Sequence, residues 1–258
     1  MMPAAKALQT GSDYVAAITA RASDRRARAA FRDLVMRTAR PGAALFEFGA
    51  GPGIDARYYA ERGFTVGAYD LDPGMREYFS AHCGDFMRAG RIWLQGGAYP
   101  EFLAGAGAGD HRPPADIVTA NFAPLNLVED LTSLFAKFHA LTSPAGKVLA
   151  SVLSPYFLAD AQYGWWWRNI PRLRRDGHFS VPGAQGPIIR RTPGEFAARS
   201  APFFRLTGVF PAGPPAWLPL TASRFMFLLF EKQPTRAQLH APRGGSVPLD
   251  PSSQTFAE

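Results

Sequence analysis

The chain has 258 residues, a formal net charge of +7 and 47% hydrophobic residues. That is enough for one large domain, or a domain with an elaboration, around a substantial core, and it excludes a globally disordered chain. Cys83 is the single cysteine, which excludes an intramolecular disulfide framework; no apolar run approaches membrane-spanning length, and no basic segment followed by an apolar signal core opens the sequence. A cytoplasmic location is expected.

Residues 1–11 read as a loose N-terminus. From Ser12 to about Thr38 the pattern is helical, with a break near Ala22-Ser23 and Ser23 placed to cap the second helix. Phe31, Leu34 and Val35 form its apolar stripe, and Arg25, Arg26, Arg28 and Arg32 are expected on the exposed side. Pro41-Gly42 punctuates the entry to a short apolar strand, Ala44 to Phe48. The strand runs into Gly49-Ala50-Gly51-Pro52-Gly53, and a helix over 54–62 follows, stopped by Gly63. Strand, glycine turn and helix in that order open a nucleotide-binding α/β fold.

Phe64 to Tyr69 reads as strand two, with Asp70 after it and Asp72-Pro73 as cap and first turn of the next helix. Arg91 to Leu94 is strand three, before Gln95-Gly96-Gly97. A short helix is expected over 98–104, then a Gly/Pro-rich loop to Pro114. Ile117-Val118-Thr119 marks strand four. Leu127, Leu131, Leu134, Phe135, Phe138 and Leu141 recur at helical spacing, and Lys147 to Leu153 is strand five. The alternation stops there. Residues 154–200 form a Trp-, Arg- and Pro-rich insertion, Phe203 to Phe210 and Arg224 to Phe230 read as two last strands, and residues 232–258 read as a disordered tail. The domain expected is therefore 12–231, a doubly wound, mostly parallel α/β sheet.

The positive charge is concentrated. Residues 165–205 hold Arg168, Arg172, Arg174, Arg175, Arg190, Arg191, Arg199 and Arg205 against Asp176 and Glu195. Such a patch would attract an acidic substrate, an anionic membrane or nucleic acid, or form a solvated basic face. Tyr163-Gly164-Trp165-Trp166-Trp167-Arg168 is the most unusual composition in the chain. Three consecutive indoles cannot share one face of a regular element, so at least one faces a pocket, a partner or an interface. Three readings stand: an acceptor lid, a small core of the insertion's own, and a membrane-facing surface. The histidines (His82, His111, His139, His178, His240) are scattered, without metal-ligand spacing, so no metal is expected.

Two details separate the glycine turn from a dinucleotide site. Ile54 stands where the last glycine of G-x-G-x-x-G belongs, so the spacing is G-x-G-x-G, and Glu47 puts a carboxylate just before the turn, poor company for a pyrophosphate. Both details argue against a nicotinamide dehydrogenase, although that class shares the turn and Asp70. The turn with Glu47 resembles the first motif of class I S-adenosylmethionine (SAM) dependent methyltransferases, acid-x-Gly-x-Gly-x-Gly. The resemblance continues through Val66-Gly67-Ala68-Tyr69-Asp70, Ala115 to Asn121 and Pro144-Ala145-Gly146-Lys147-Val148-Leu149, over about residues 12–153.

The resemblance implies a seven-stranded Rossmann-like sheet, ordered 3-2-1-4-5-7-6, with helices on both faces and an insertion after strand five. It implies SAM as cofactor and methyl transfer as activity. Gly49, Ala50, Gly51 and Gly53 would let backbone approach the amino acid and ribose parts, and Asp70 would accept from the ribose diol with Leu71 beside the adenine. Glu47 would order the turn or meet the ligand amine through water; capping of backbone N–H groups is the structural alternative. Gly97 occupies the place of an acid that family members set near the adenine amino group, with Ala98 next to it; backbone, Gln95 or a lowered affinity would account for the change. Asn121 and Phe122 would face the reaction zone, and Tyr14 would touch the cofactor or pack its own helix. Asn121-Phe122-Ala123-Pro124 departs from the motif of amino-directed nucleic-acid methyltransferases, which argues against nucleic acid as substrate.

The acceptor expected is a small molecule or lipid-like compound, acidic or aromatic, under the 154–200 lid, with Tyr156, Tyr163, Trp165, Trp166, Trp167 and Arg168 as contacts and peripheral membrane contact as a further partner. SAM carries an activated methyl group, so a base is needed only if the acceptor must lose a proton. His178 is the base candidate, and Cys83 and His139 read as packing residues. A nucleic-acid methyltransferase and a non-catalytic SAM-binding protein are the alternatives.

Overall fold

In the computed structural model, residues 21–105, 113–183, 186–211 and 221–234 are described. Tyr14, the N-terminal residues, the Gly-rich run at 106–112 and the expected tail from 235 onward lie outside them. Five strands run parallel: β1 (Ala44–Phe48), β2 (Thr65–Tyr69), β3 (Ile92–Gln95), β4 (Ala115–Ala120) and β5 (Thr142–Leu153). A separate antiparallel hairpin, β6 (His178–Gly183) with β7 (Gly186–Arg191), follows. β8 (Phe204–Phe210) and β9 (Phe225–Lys232) then complete the main sheet in the order β3-β2-β1-β4-β5-β9-β8. β9 is antiparallel to both neighbours. The order and the reversed strand are those the resemblance implies. From β1 the chain winds outward to β2 and β3, then crosses back to β4, which opens a crevice at the carboxyl ends of β1 and β4.

Helices cover both faces because successive strand residues point to opposite sides. On one face α1 (Ala22–Thr38), α2 (Ile54–Ala60) and α3 (Pro73–Arg88) bury Phe31, Val35, Tyr59 and Phe79 against Leu45, Val66 and Ile117. On the other, α4 (Tyr99–Ala104), α5 (Leu131–Leu141) and α7 (Pro193–Ser200) bury Phe102, Phe135, Phe138 and Phe196 against Phe46, Phe48 and Val148. Each such fully buried side chain contributes about 1.5–3 kcal/mol. Phe196 is part of this main core, so the helix near the end of the 154–200 segment belongs to the sheet's own cover.

Two local expectations change. Ser23 lies inside α1; the helix begins after Arg21, which has extended backbone and no side-chain cap, so Ser23 is not the cap. Arg28 and Arg32 turn inward instead of outward, because both reach Asp55 at the start of α2.

The rest of the insertion is a 3-10 turn (Leu158–Gln162), α6 (Gly164–Asp176) and the β6–β7 hairpin. Trp166, Leu173, Phe179 and Val181 make a small core of its own, joined by Tyr156, Trp165 and Ile170. Buried polar groups clamp it to the domain through Asn126 and Arg191, and Arg190 ties its own segments together. Asn126 donates from Nδ2 to the Ile189 carbonyl (2.7 Å) and accepts from the Leu153 amide (3.0 Å). Arg190 donates to the Ser154 carbonyl (2.6 Å) and pairs with Asp160 (3.1 Å). Arg191 donates to the carbonyls of Leu125, Val128 and Glu129. Two of the eight clustered arginines are therefore internal, and the basic face is smaller than the sequence implies.

Candidate functional site

The glycine turn sits at the crevice. Gly49, Gly51 and Gly53 have φ of 71°, 54° and 80°, the left-handed region in which a Cβ is disfavoured. At two of them packing adds a second reason. A Cβ on Gly49 would come within 2.7 Å of Pro124 Cβ, and one on Gly53 within 2.7 Å of Cys83 Sγ and 2.8 Å of the Phe79 ring. The turn is tied to β2: the amides of Gly49 and Ala50 donate to the Tyr69 carbonyl at 2.9 and 3.0 Å. Cys83 is fully buried, and burial pushes its thiol up to about 12, so it packs and does not react.

Asp70, at the end of β2, is 9% exposed. Its Oδ2 accepts from the Gly51 amide (2.7 Å) and its Oδ1 from the Asp72 amide (2.9 Å). Burial raises its carboxyl above the usual range, and these two hydrogen bonds oppose the shift. Each oxygen keeps a second acceptor site. Leu71 beside it is 57% exposed, an apolar side chain left uncovered at a crevice. Asp72 caps α3 by accepting from the Met75 amide (3.0 Å), so capping falls to Asp72 and leaves Asp70 to the crevice.

At the end of β3, Gly97 has φ 108° and its carbonyl accepts from the Tyr69 hydroxyl (3.3 Å). The Glu101 carboxylate, one turn into α4, fills the space beside it: Oε2 lies 2.7 Å from where a Gly97 Cβ would stand and accepts from the Ala98 amide at 3.0 Å. An acid therefore stands next to Gly97, supplied from four residues further on. Only the fold-back at the start of α4 reveals it.

Glu47 is 3% exposed on β1, and its Oε2 has no hydrogen-bond partner among the described residues. Burial first, then repulsion from Asp55, hold its carboxyl well above the usual range, against the attraction of Arg28 and Arg32. Its register partner on β4, Thr119, has an unpartnered Oγ1, and the buried Tyr59 hydroxyl is likewise unpartnered. Buried polar atoms left unpaired are costly, and these three lie together beneath the turn.

The end of β4 carries a feature that no glycine announces. Phe122 and Ala123 have φ of 60° and 69°, each a strained backbone position of about 1–3 kcal/mol. The bend is held by Asn121 Oδ1, which accepts from the Phe122 amide (2.9 Å), and by the Ala123 amide donating to the Ser151 carbonyl (2.9 Å). Asn121 Nδ2 donates to Asp55 Oδ2 (2.9 Å), the same carboxylate that takes Arg28 at 2.5 Å and Arg32 at 2.6 Å. The Arg28 guanidinium lies 4.5 Å from the centre of the Phe122 ring. One buried carboxylate thus joins α1, α2 and the crevice. The sequence marks Asn121 and Phe122 but not Asp55, Arg28 and Arg32.

Beyond Phe122 an apolar groove of about 810 Å³ runs between α1 and the starts and ends of β9 and β8. Phe225, at the carboxyl end of the sheet beside Leu153, packs edge-on against Phe122 with ring centres 5.5 Å apart. Phe157, Phe210, Pro211 and Phe227 continue the wall, and Arg26, Arg37 and Arg224 rim it, with Asp24 the one acid among the described lining residues.

The insertion's expected contacts separate. Trp166 is buried in the insertion's core and donates from Nε1 to the Pro155 carbonyl (2.9 Å), with Tyr156 and Trp165 packed beside it. Tyr163, Trp167 and Arg168 are exposed. His178 contacts the Asp176 carbonyl (2.9 Å) and faces Glu195 (3.8 Å), not the crevice. His139 lies in α5 against Phe203 and Phe204, and burial lowers its pKa. Among the described residues no group of three His, Cys, Asp or Glu side chains is placed to hold a metal.

The donor set suits SAM. Asp70 offers buried, fixed acceptors for a diol, Leu71 an apolar edge, and the unpaired Glu47 oxygen an acceptor below the turn. Arg76 at this edge donates to the carbonyls of Asp70 and Leu71.

Comparison with known proteins agrees. A family model described as "Methyltransferase domain" matches residues 21–185, more than half of the chain. No curated protein sequence matches significantly. Similar solved structures include a TehB-like SAM-dependent methyltransferase from Corynebacterium glutamicum (TM-score 0.53, 17% identity, covering 86% of this chain and 98% of that one). Another is 1,6-didemethyltoxoflavin-N1-methyltransferase from Burkholderia thailandensis, determined with 1,6-didemethyltoxoflavin and S-adenosylhomocysteine (TM-score 0.54, 20% identity, covering 86% and 87%). The CcbJ methyltransferase from Streptomyces caelestis is a third (TM-score 0.54, 16% identity, covering 81% and 90%). With a matched family model, the Rossmann-like sheet order and a crevice whose acceptors suit the cofactor, the chain belongs to the class I methyltransferases and is a SAM-dependent enzyme.

Proposed function

We propose that this methyltransferase acts on a small or lipid-like acceptor that carries an acidic group on an apolar or aromatic body. The observation that carries the reading is the aromatic groove rimmed by Arg26, Arg37 and Arg224 and joined to the crevice through the Phe225–Phe122 contact. Arg26 and Arg37 have no hydrogen-bond or ion-pair partner among the described residues, so both are available to an anion. The solved neighbour with bound 1,6-didemethyltoxoflavin has a small molecule in its site, which fits a small acceptor.

SAM supplies an activated methyl group on a sulfonium when bound. In this reading Asp70 holds the ribose, Leu71 and the Gly97–Ala98 segment flank the adenine, and the turn at Gly49, Ala50, Gly51 and Gly53 carries the amino acid end, with Glu47 beneath it. Asn121 and the bent Phe122 fix the floor between cofactor and groove. The residues align the two reactants and keep water out, which is most of what methyl transfer requires. Phe157 and Ile188 of the insertion reach the groove and the Phe122 cluster, which supports a lid role for the segment after β5. No general base is assigned, and His178 is not used.

Turnover with methyl-labelled SAM across acidic phenols, quinone precursors and fatty acyl compounds tests the reading. Acidic apolar acceptors should be preferred, and Arg26→Gln with Arg224→Gln should raise KM more than it lowers kcat. A preference for duplex nucleic acid with steep salt dependence would overturn it; SAM binding without turnover of any acceptor would do the same.

A further inference from the structure

We propose that the outer face of α6, with the 3-10 turn before it, docks on an anionic lipid surface. The proposal is independent of the acceptor's identity, since none of its residues lines the groove. Helix α6 has two faces. Trp166, Ile170 and Leu173, at helical spacing, face the insertion's own core. Trp167, Arg168, Arg172, Arg174 and Arg175 are exposed. Of these, Arg175 is paired with Asp176 at 2.8 Å. Arg168, Arg172 and Arg174 have no hydrogen-bond or ion-pair partner among the described residues.

Apolar side chains accompany these cations. Leu158, Tyr163 and Trp167 are 54%, 39% and 60% exposed and lie within ten residues of one another. Trp167 is fixed, not waving: its indole N–H donates to the Ala161 carbonyl at 2.7 Å, which lays the ring along the 3-10 turn. Side chains three apart eclipse in such a turn, so Leu158 falls on the side of Ala161 and continues the apolar strip. With the indole N–H already satisfied, the ring enters an apolar medium without stranding a donor.

Cations beside fixed aromatic and aliphatic side chains match the boundary of an anionic bilayer, where arginines meet headgroups and the rings meet acyl chains. A duplex offers phosphates to the arginines but no apolar partner for Leu158 and Trp167. The insertion rises from the end of β5, the edge that carries the crevice, so docking through it sets the active face toward the lipid. Among the described residues no helix is long and apolar enough to cross a membrane, so the contact is peripheral.

Co-sedimentation of the full chain with vesicles of phosphatidylcholine mixed with phosphatidylglycerol is the test. The protein should pellet with mixed vesicles, stay in solution with phosphatidylcholine alone, and be released by salt. Replacing Arg168, Arg172 and Arg174 together by Gln should lower partitioning on the order of 100-fold, and Trp167→Ala about tenfold. SAM affinity should stay unchanged in both variants and melting temperature in the arginine variant, while Trp167→Ala, which loses its bond to Ala161 and its ring contact with Trp166, should lower the melting temperature slightly and stay folded; the arginine variant thus separates lost docking from lost folding. Equal partitioning of the variants and the native chain overturns the proposal. So does a native chain that ignores mixed vesicles, one that binds phosphatidylcholine equally, one that shifts duplex DNA through these arginines instead, or a dimer that Trp167→Ala dissolves.

Discussion

Asp70 is set in place by two backbone amides, those of Gly51 and Asp72. Its position is therefore fixed in advance, and an acceptor that needs no rearrangement keeps more of its hydrogen-bond energy. Asp70→Ala should weaken SAM by about 1.5–3 kcal/mol, the range for hydrogen bonds to a charged group, measured by calorimetry. Unchanged affinity would place the ribose elsewhere. Glu47 makes a different prediction. Its carboxyl is held well above the usual range by burial, while in the unfolded chain it releases its proton near pH 4.3. Above that pH the folded state binds more protons than the unfolded one, so stability falls as pH rises toward the folded value. The slope is at most about 1.36 kcal/mol per pH unit. Glu47→Gln removes this loss, and its melting temperature should fall less than the native protein's between pH 5 and pH 7. Parallel curves would show that Glu47 is ionised in the fold.

At the scale of elements, α1 is held by Asp55 as well as by its apolar stripe. That carboxylate is about 4% exposed and accepts from Arg28, Arg32 and Asn121. Asp55→Ala leaves two half-buried guanidinium groups facing each other without their counter-charge and should cost about 3–5 kcal/mol in chemical denaturation. It should also free the strained bend at Phe122, so acceptor turnover should fall more than SAM binding. A loss under 1 kcal/mol would mean that solvent replaces the pair. The β6–β7 hairpin is held in the same manner: Arg190 is buried against Asp160 and the Ser154 carbonyl, and Arg190→Ala should loosen the hairpin, seen as faster amide exchange at Phe179 and Val181.

For the whole molecule, sheet order places the chemistry. The crevice exists because the chain reverses its direction of travel across the sheet after β3, and both ligands must meet at the carboxyl edge of β1 and β4. The insertion adds a small core that shares no buried residue with the two main clusters. Shortening the chain between Gln162 and Gly186 should therefore leave one cooperative melting transition and SAM affinity nearly intact, while acceptor turnover is lost. Loss of SAM binding in that variant would make the insertion part of the cofactor site.

The sequence by itself determined the strand–turn–helix unit, the acid after β2, the cap at Asp72 and the alternation that makes a parallel sheet. These are legible because each depends on residues adjacent in the chain: glycines where φ is positive, a carboxylate three residues before an amide, apolar side chains at a fixed period. What only the tertiary structure decided are the long-range pairings. Arg28 and Arg32 look like a solvated helix face until folding brings Asp55 to them, and Arg190 and Arg191 look like surface charge until carbonyls far away in sequence satisfy them. Phe122 and Ala123 take left-handed backbone with no glycine to mark it, because Asn121 and the Ser151 carbonyl hold the bend. Of the three indoles, the fold sends Trp166 inward and Trp167 outward, a choice set by where α6 meets its hairpin. The groove is the clearest case. Its walls come from residues near 23–37, 157, 210–211 and 222–227, and side chains so far apart in sequence become a surface only when the sheet has closed.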